Sequence, residues 1–139
     1  MMRFLMIMYP DRVAESTAVP PADAVAEMMK YNEELAKAGV LVSLEGLHPS
    51  SKGARVYFPG GKPKVKDGPF TEAKEIIGGF WMLDVKSKEE AVEWAKRVPV
   101  TNTDFVELRQ VFEMEDFPED VQRAADNATV KAAVEKHSR

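Results

Sequence analysis

Lys66-Asp67-Gly68-Pro69-Phe70-Thr71-Glu72-Ala73-Lys74-Glu75, continuing as Ile76-Ile77-Gly78-Gly79-Phe80, joins the two halves of the chain. Asp-Gly is a turn signal. Gly68 stands before proline, whose ring pushes the preceding residue toward extended backbone. Thr71 to Glu75 holds three charges, and Gly78-Gly79 lets the chain bend or approach another backbone closely. So many backbone demands in one stretch predict a loop held in a single shape. Such a loop serves either as a binding loop or as a well-ordered connector.

Upstream, Phe4 to Tyr9 is a short apolar run ending at Pro10-Asp11, the pattern of a central strand. A small-residue connector, Arg12 to Val19, leads to Pro20-Pro21, which opens a helix. Val25, Met28, Met29 and Leu35 recur at helical spacing with Tyr31 and Asn32 beside them, and Gly39 suits the C-terminal cap. Val40 to Leu47 reads as a strand. Val40, Val42 and Leu44 share one face, Leu41, Ser43 and Glu45 the other, and Gly46 offers a place for a bulge. Arg55 to Phe58 and Lys62 to Lys66 flank Pro59-Gly60-Gly61 and predict a hairpin.

Downstream, Gly79 to Val85 alternates as a strand. Ser87-Lys88-Glu89-Glu90 is a capping box, followed by Ala91, Trp94, Ala95 and Val98 on one helical face, with Pro99 as the stop. After a turn at Thr101 to Asp104, Phe105 to Phe112 is the last core strand, with Glu107 and Arg109 on one face. From Met114 the chain is charged and alanine-rich. Pro118 starts a helix with a thin stripe of Val121, Ala124, Ala125 and Ala128.

The order β-α-β, hairpin, loop, β-α-β predicts an α+β fold. Its core is a ferredoxin-like βαββαβ unit with an antiparallel sheet, an inserted hairpin and a C-terminal helical tail. The domain spans 1–113 and the tail 114–139. Helices cover one face only. Phe4, Met6, Met8, Trp81, Leu83 and Val85 exceed what two helices can bury, which predicts a homodimer through the open sheet face.

Composition narrows the class. The chain has 139 residues, 45% hydrophobic and 30% charged, as in one soluble globular domain. Its net charge of −4 disfavours nucleic acid. Lys52, Arg55, Lys62, Lys64 and Lys66 read as a solvated hairpin face or a local basic patch. No apolar run is long enough to span a membrane. The absence of cysteine excludes disulfides, thiol nucleophiles and zinc–thiolate sites, and fits a reducing cytoplasm.

Three stretches carry a family resemblance: Glu45-Gly46-Leu47-His48-Pro49; Asp67 to Glu75 with Gly78-Gly79-Phe80-Trp81; and Ser87 to Ala95. Together with Lys37-Ala38-Gly39-Val40-Leu41 they resemble the YCII-related proteins, in the subgroup named for its Asp-Gly-Pro-Phe signature, over residues 1–113. The resemblance implies a dimeric α+β barrel. It also implies a regulatory setting, since some members are encoded beside extracytoplasmic-function sigma factors. Related proteins carry a His/Asp pair regarded as the catalytic candidate. The histidine of that pair belongs to the first helix, where this chain has none and Met28 falls near the position. Asp67 matches the signature aspartate.

The residues themselves offer two chemistries. Asp67 suits a general acid or base if its loop desolvates it, with His48 or Glu45 as partner, and suits an Asx-type turn otherwise. Arg55 and Lys74 suit an anionic ligand, with Phe70 beside them. Glu45, His48 and Asp67 are metal-ligand types, but Glu45 and His48 point to opposite faces of a regular strand, so neither a metal nor a cofactor is expected. The favoured expectation is a small-molecule-binding or regulatory dimer with a pocket between sheet and helices, floored by Glu45 to His48 and closed by the Asp67 to Glu75 loop. The alternative is a small cofactor-independent enzyme working through Asp67.

Overall fold

Alternation along two strands sets up the whole sheet. The computed structural model describes residues 1–10, 19–71, 75–100 and 104–138. Strand β1 (Met2–Tyr9) and strand β5 (Gly79–Val85) lie side by side at the sheet centre, antiparallel, with Phe4 opposite Leu83 and Met6 opposite Trp81. Strand β2 (Leu41–Gly46) pairs with β5, and β6 (Phe105–Gln110) pairs with β1. The order β2-β5-β1-β6 is all antiparallel and ferredoxin-like. Strands β3 (Ala54–Tyr57) and β4 (Lys64–Asp67) form a separate two-stranded ribbon.

One face of the sheet packs on helix α1 (Ala22–Lys37) and helix α2 (Lys88–Ala95). Phe4, Met6, Trp81, Leu83 and Val85 enclose a core with Tyr31 and Leu35 of α1, Ala91 of α2, and Val98. Met6, Leu35, Leu83 and Val85 are fully buried. Each such side chain contributes roughly 1.5–3 kcal/mol of burial. This corrects the expected use of the two faces. Phe4, Met6, Trp81, Leu83 and Val85 are satisfied by the helices, with Met8 packed against the same core. By alternation the open face carries Leu5, Ile7, Tyr9, Phe80, Met82 and Phe105.

Local chemistry explains the element ends. Gly39 has φ of 74° just past α1, the left-handed conformation that glycine takes without strain. Ser87 caps α2 by accepting from the Glu90 N–H at 3.1 Å, and Glu90 Oε1 reaches back to the N–H of Lys86 at 2.8 Å. In α1 the expected stripe is narrower: Tyr31, Asn32 and Leu35 are buried, while Val25 and Met29 are exposed. A bulge falls between Leu41 and Ser43 rather than at Gly46. It turns Val42 out to solvent and lets Leu41 and Leu44 both pack on the core.

Beyond β6 the tail is two helices, α3 (Glu119–Ala125) and α4 (Ala128–His137). The sequence pattern suggested one. Asp126 leaves the helical region, and the Asn127 side chain restarts the helix by accepting from the Val130 N–H at 3.0 Å. Arg3 anchors the segment before the tail through a two-pronged ion pair, its Nε 2.7 Å and its Nη2 2.9 Å from the Glu113 carboxylate. The connector at 12–18 and most of the turn at 101–104 lie outside the described residues.

Candidate functional site

The Asp-Gly-Pro-Phe segment is held by a turn brought in from the other side of the ribbon. Ser50–Lys52 forms a single 3-10 turn, and Ser50 is buried. Its hydroxyl accepts from the Phe70 N–H at 3.1 Å, and the carbonyl of Gly53 accepts from the Gly68 N–H at 3.0 Å. Gly68 is packed so closely that a Cβ there would lie 1.7 Å from the Ser50 carbonyl oxygen. Glycine is therefore required by space, not by φ. The Gly68–Pro69 peptide bond is cis.

The turn of the loop sets Phe70 beneath a cation. The Arg55 guanidinium carbon lies 4.0 Å from the Phe70 ring centroid, and Arg55 Nη1 is 4.0 Å from Glu75 Oε2. A cation over an aromatic face contributes about 0.5–1 kcal/mol where partly exposed. The Arg55 side chain remains 30% exposed, so its charge is oriented without being consumed. Further on, Gly78 donates to the Met8 carbonyl at 2.8 Å and accepts from the Leu47 N–H at 2.9 Å, which ties the loop's end to the sheet. Gly79 sits where a Cβ would come within 2.7 Å of the Glu45 carbonyl oxygen, the close backbone approach expected of this glycine pair.

The residues singled out from sequence separate into two groups. Arg55 and Phe70 are brought into contact. Asp67 ends β4 opposite Ala54, His48 follows β2, and Glu45 stands opposite Phe80; all three are exposed. Glu45 thus lies on the open face of the sheet and not between sheet and helices. Among the described residues no group of three or more His, Asp or Glu is placed to hold a metal ion. Lys74 falls outside the described residues, as do Glu72 and Ala73.

Sequence reasoning missed the most structured polar site. The Trp81 indole N–H donates to Asn32 Oδ1 at 2.7 Å inside the core, where α1 meets β5. Tyr31 packs edge-on against Trp81 and Trp94 and donates its hydroxyl proton to the Trp94 carbonyl at 2.7 Å. Burial holds the Tyr31 phenol well above its ordinary range, so it stays a neutral donor. Asn32 lies one helical turn beyond Met28, on the face that also carries Leu35. An amide among core positions was the available signal.

The antiparallel βαββαβ core with helices on one face defines a ferredoxin-like α+β domain. The model of the YCII-related domain matches residues 2–115, and the chain belongs to that family. An uncharacterised protein of Rhizobium meliloti (strain 1021) is 35% identical over 80 residues, which are 58% of this chain and 61% of that protein. The matched part thus spans less than two thirds of that relative's length. A solved structure of 5-chloro-2-hydroxyhydroquinone dehydrochlorinase from Burkholderia phenoliruptrix AC1100, in complex with 2,5-dihydroxybenzoquinone, aligns at 16% identity with a TM-score of 0.44. The alignment covers 82% of this chain and 98% of that one.

Proposed function

We propose that this chain is a small-molecule-binding or regulatory homodimer of the Asp-Gly-Pro-Phe subgroup, with its ligand site at the Asp67–Glu75 loop. The observation that carries this reading is the Arg55–Phe70 stack on a loop fastened to the Ser50 turn. An oriented, partly exposed guanidinium beside an aromatic ring suits an anionic small molecule with a flat or apolar part. The partner copy covers the open face, where Leu5, Ile7, Phe80 and Met82 keep part of their surface in water. Face-to-face packing of two such sheets is the dimeric α+β barrel. Acid–base catalysis at Asp67 with His48 or Glu45 is less favoured, because all three side chains are exposed.

A thermal-shift screen of anionic metabolites on wild type, Arg55→Ala and Asp67→Ala tests this. The binding reading expects a ligand that stabilises wild type and Asp67→Ala but not a folded Arg55→Ala. Turnover of that ligand, lost in Asp67→Ala, would instead support the enzyme. A ligand whose shift survives Arg55→Ala would move the site elsewhere, and no shift from any compound would contradict the reading.

A further inference from the structure

The β3–β4 ribbon and the start of the tail carry opposite charge in unusual concentration. From residue 52 to 66 the chain holds Lys52, Arg55, Lys62, Lys64 and Lys66 and no carboxylate. From residue 113 to 120 it holds Glu113, Glu115, Asp116, Glu119 and Asp120 and no cation. Yet the chain as a whole is negative.

The ribbon's register sharpens this. Arg55 lies directly opposite Lys66, and Tyr57 opposite Lys64, so these side chains share one face. Val56 and Val65 share the other, and both are exposed. Like charges directly opposite one another destabilise a strand pair. A lone two-stranded ribbon is marginal in water even without that penalty. Glu75 is a counter-charge to Arg55 only, and it stands off at 4.0 Å. Among the described residues the ribbon thus has no apolar cover over Val56 and Val65 and no acidic partner besides Glu75.

The tail offers both. Glu115, Asp116, Glu119 and Asp120 are exposed, and so are Phe112, Met114 and Val121 between and beside them. Phe112 and Phe117 stack with ring centroids 4.8 Å apart and hold the segment in shape. Within one chain the two features leave the sheet from opposite edges, the ribbon after β2 and the tail after β6. Three strand spacings, roughly 14 Å, separate those edges, and the two features also leave from opposite ends of the strands, the ribbon beside Gly79 and the tail beside Phe4. In a two-fold assembly the ribbon of each copy can meet the tail of the other, because residue i touching residue j implies j touching i.

We infer that the acidic segment Glu113–Asp120 of one copy docks on the basic β3–β4 ribbon of a second copy of this chain. The contact rests on the dimer proposed above and goes beyond it. It makes the tail, which lies outside the family match beyond residue 115, an arm specific to this protein's own assembly. It also places the partner's carboxylates beside Arg55, so assembly and the ligand site share a charge.

Charge reversal tests it. One variant carries Lys64→Glu and Lys66→Glu. The other carries Glu115→Lys and Asp120→Lys, which leaves the Arg3–Glu113 pair intact. Each variant alone sets the reversed side chains against like charges at both contacts and leaves its segment one net charge in place of five, and its dimer dissociation constant at low salt is expected to rise at least tenfold. Mixed one to one, the two form a heterodimer in which both contacts are again attractive. Native mass spectrometry should show that heterodimer well above the statistical half.

The tail variant separates the contact from general repulsion. Its net charge moves from −4 to zero, so repulsion between whole molecules would predict a tighter dimer, not a weaker one. A tail variant that dimerises as well as wild type, or a statistical mixture, overturns the contact while leaving the sheet-face dimer standing. A monomeric wild type overturns both. Circular dichroism checks each fold; if the ribbon variant unfolds, the exposed tail variant against wild type still decides.

Discussion

On the helix-covered face of the sheet, Met6, Leu83 and Val85 have no exposed surface, and Phe4 and Trp81 have almost none. On the opposite face, Leu5, Ile7, Phe80 and Met82 come from the same two strands and are only half-buried. Charge follows the same division. Glu107 and Arg109 stand with the second set and pair with each other at 3.4 Å, and Arg3, Asp84 and Glu45 stand there too. The first face completes the fold of one chain. The second is apolar at its centre and charged at its margins, the composition of a surface that meets a partner.

Breaking the covered face should cost most. Leu83→Ala removes a fully buried side chain between two paired strands, and about 2–5 kcal/mol of unfolding free energy is expected from denaturant titration. Gly68→Ala forces a Cβ into the Ser50 carbonyl, and about 3 kcal/mol is expected with loss of the Arg55–Phe70 stack. A substitution that leaves stability unchanged would mean the loop is not fastened as described. Trp81→Phe keeps most of the packing but strands Asn32 Oδ1 without its donor, for about 1–3 kcal/mol.

Substitutions on the open face should behave differently. Ile7→Ala is expected to change the concentration dependence of the melting temperature more than the stability of the single chain. The smallest effect belongs to the margin. The Arg3 hydrogen bonds hold the Glu113 carboxyl below its ordinary value near 4.5 and raise Arg3. A depressed carboxyl contributes stability above its unfolded-state pKa and loses it as pH falls through the folded one. Glu113→Gln should therefore flatten stability against pH in the acid limb, below about pH 4.5. Glu113 is 31% exposed and Arg3 40%, so solvent screening keeps the effect to about 1 kcal/mol or less.

Much of this architecture was legible in the sequence. Ser87 and Glu90 announced the second helix, Gly39 the end of the first, and period-two alternation the strands. Which of the two alternating sets the helices would take was less legible, since Leu5 and Ile7 are as apolar as Phe4 and Met6. The charges decide it in retrospect: Arg3, Asp84, Glu107 and Arg109 all fall in the open set, and the covered set has none. The bulge at Val42 was hidden because Val40 to Leu44 is apolar in either register. Arg55 and Phe70 were singled out as residue types, but that they stack was not legible in the sequence. The Ser50 anchor and the Asn32–Trp81 bond depend on contacts between residues 20 and 49 positions apart, which no local pattern reports.

Assembly of this protein depends most on the open face of the sheet. Sedimentation equilibrium of the full chain, alongside Ile7→Lys with its secondary structure verified, tests that face most directly. The expected result is twice the chain mass of 15.5 kDa for wild type and a single chain mass for the variant. A wild-type chain that sediments as a monomer at high concentration, or a variant that still dimerises as tightly, would contradict the claim that this face exists to receive a second copy.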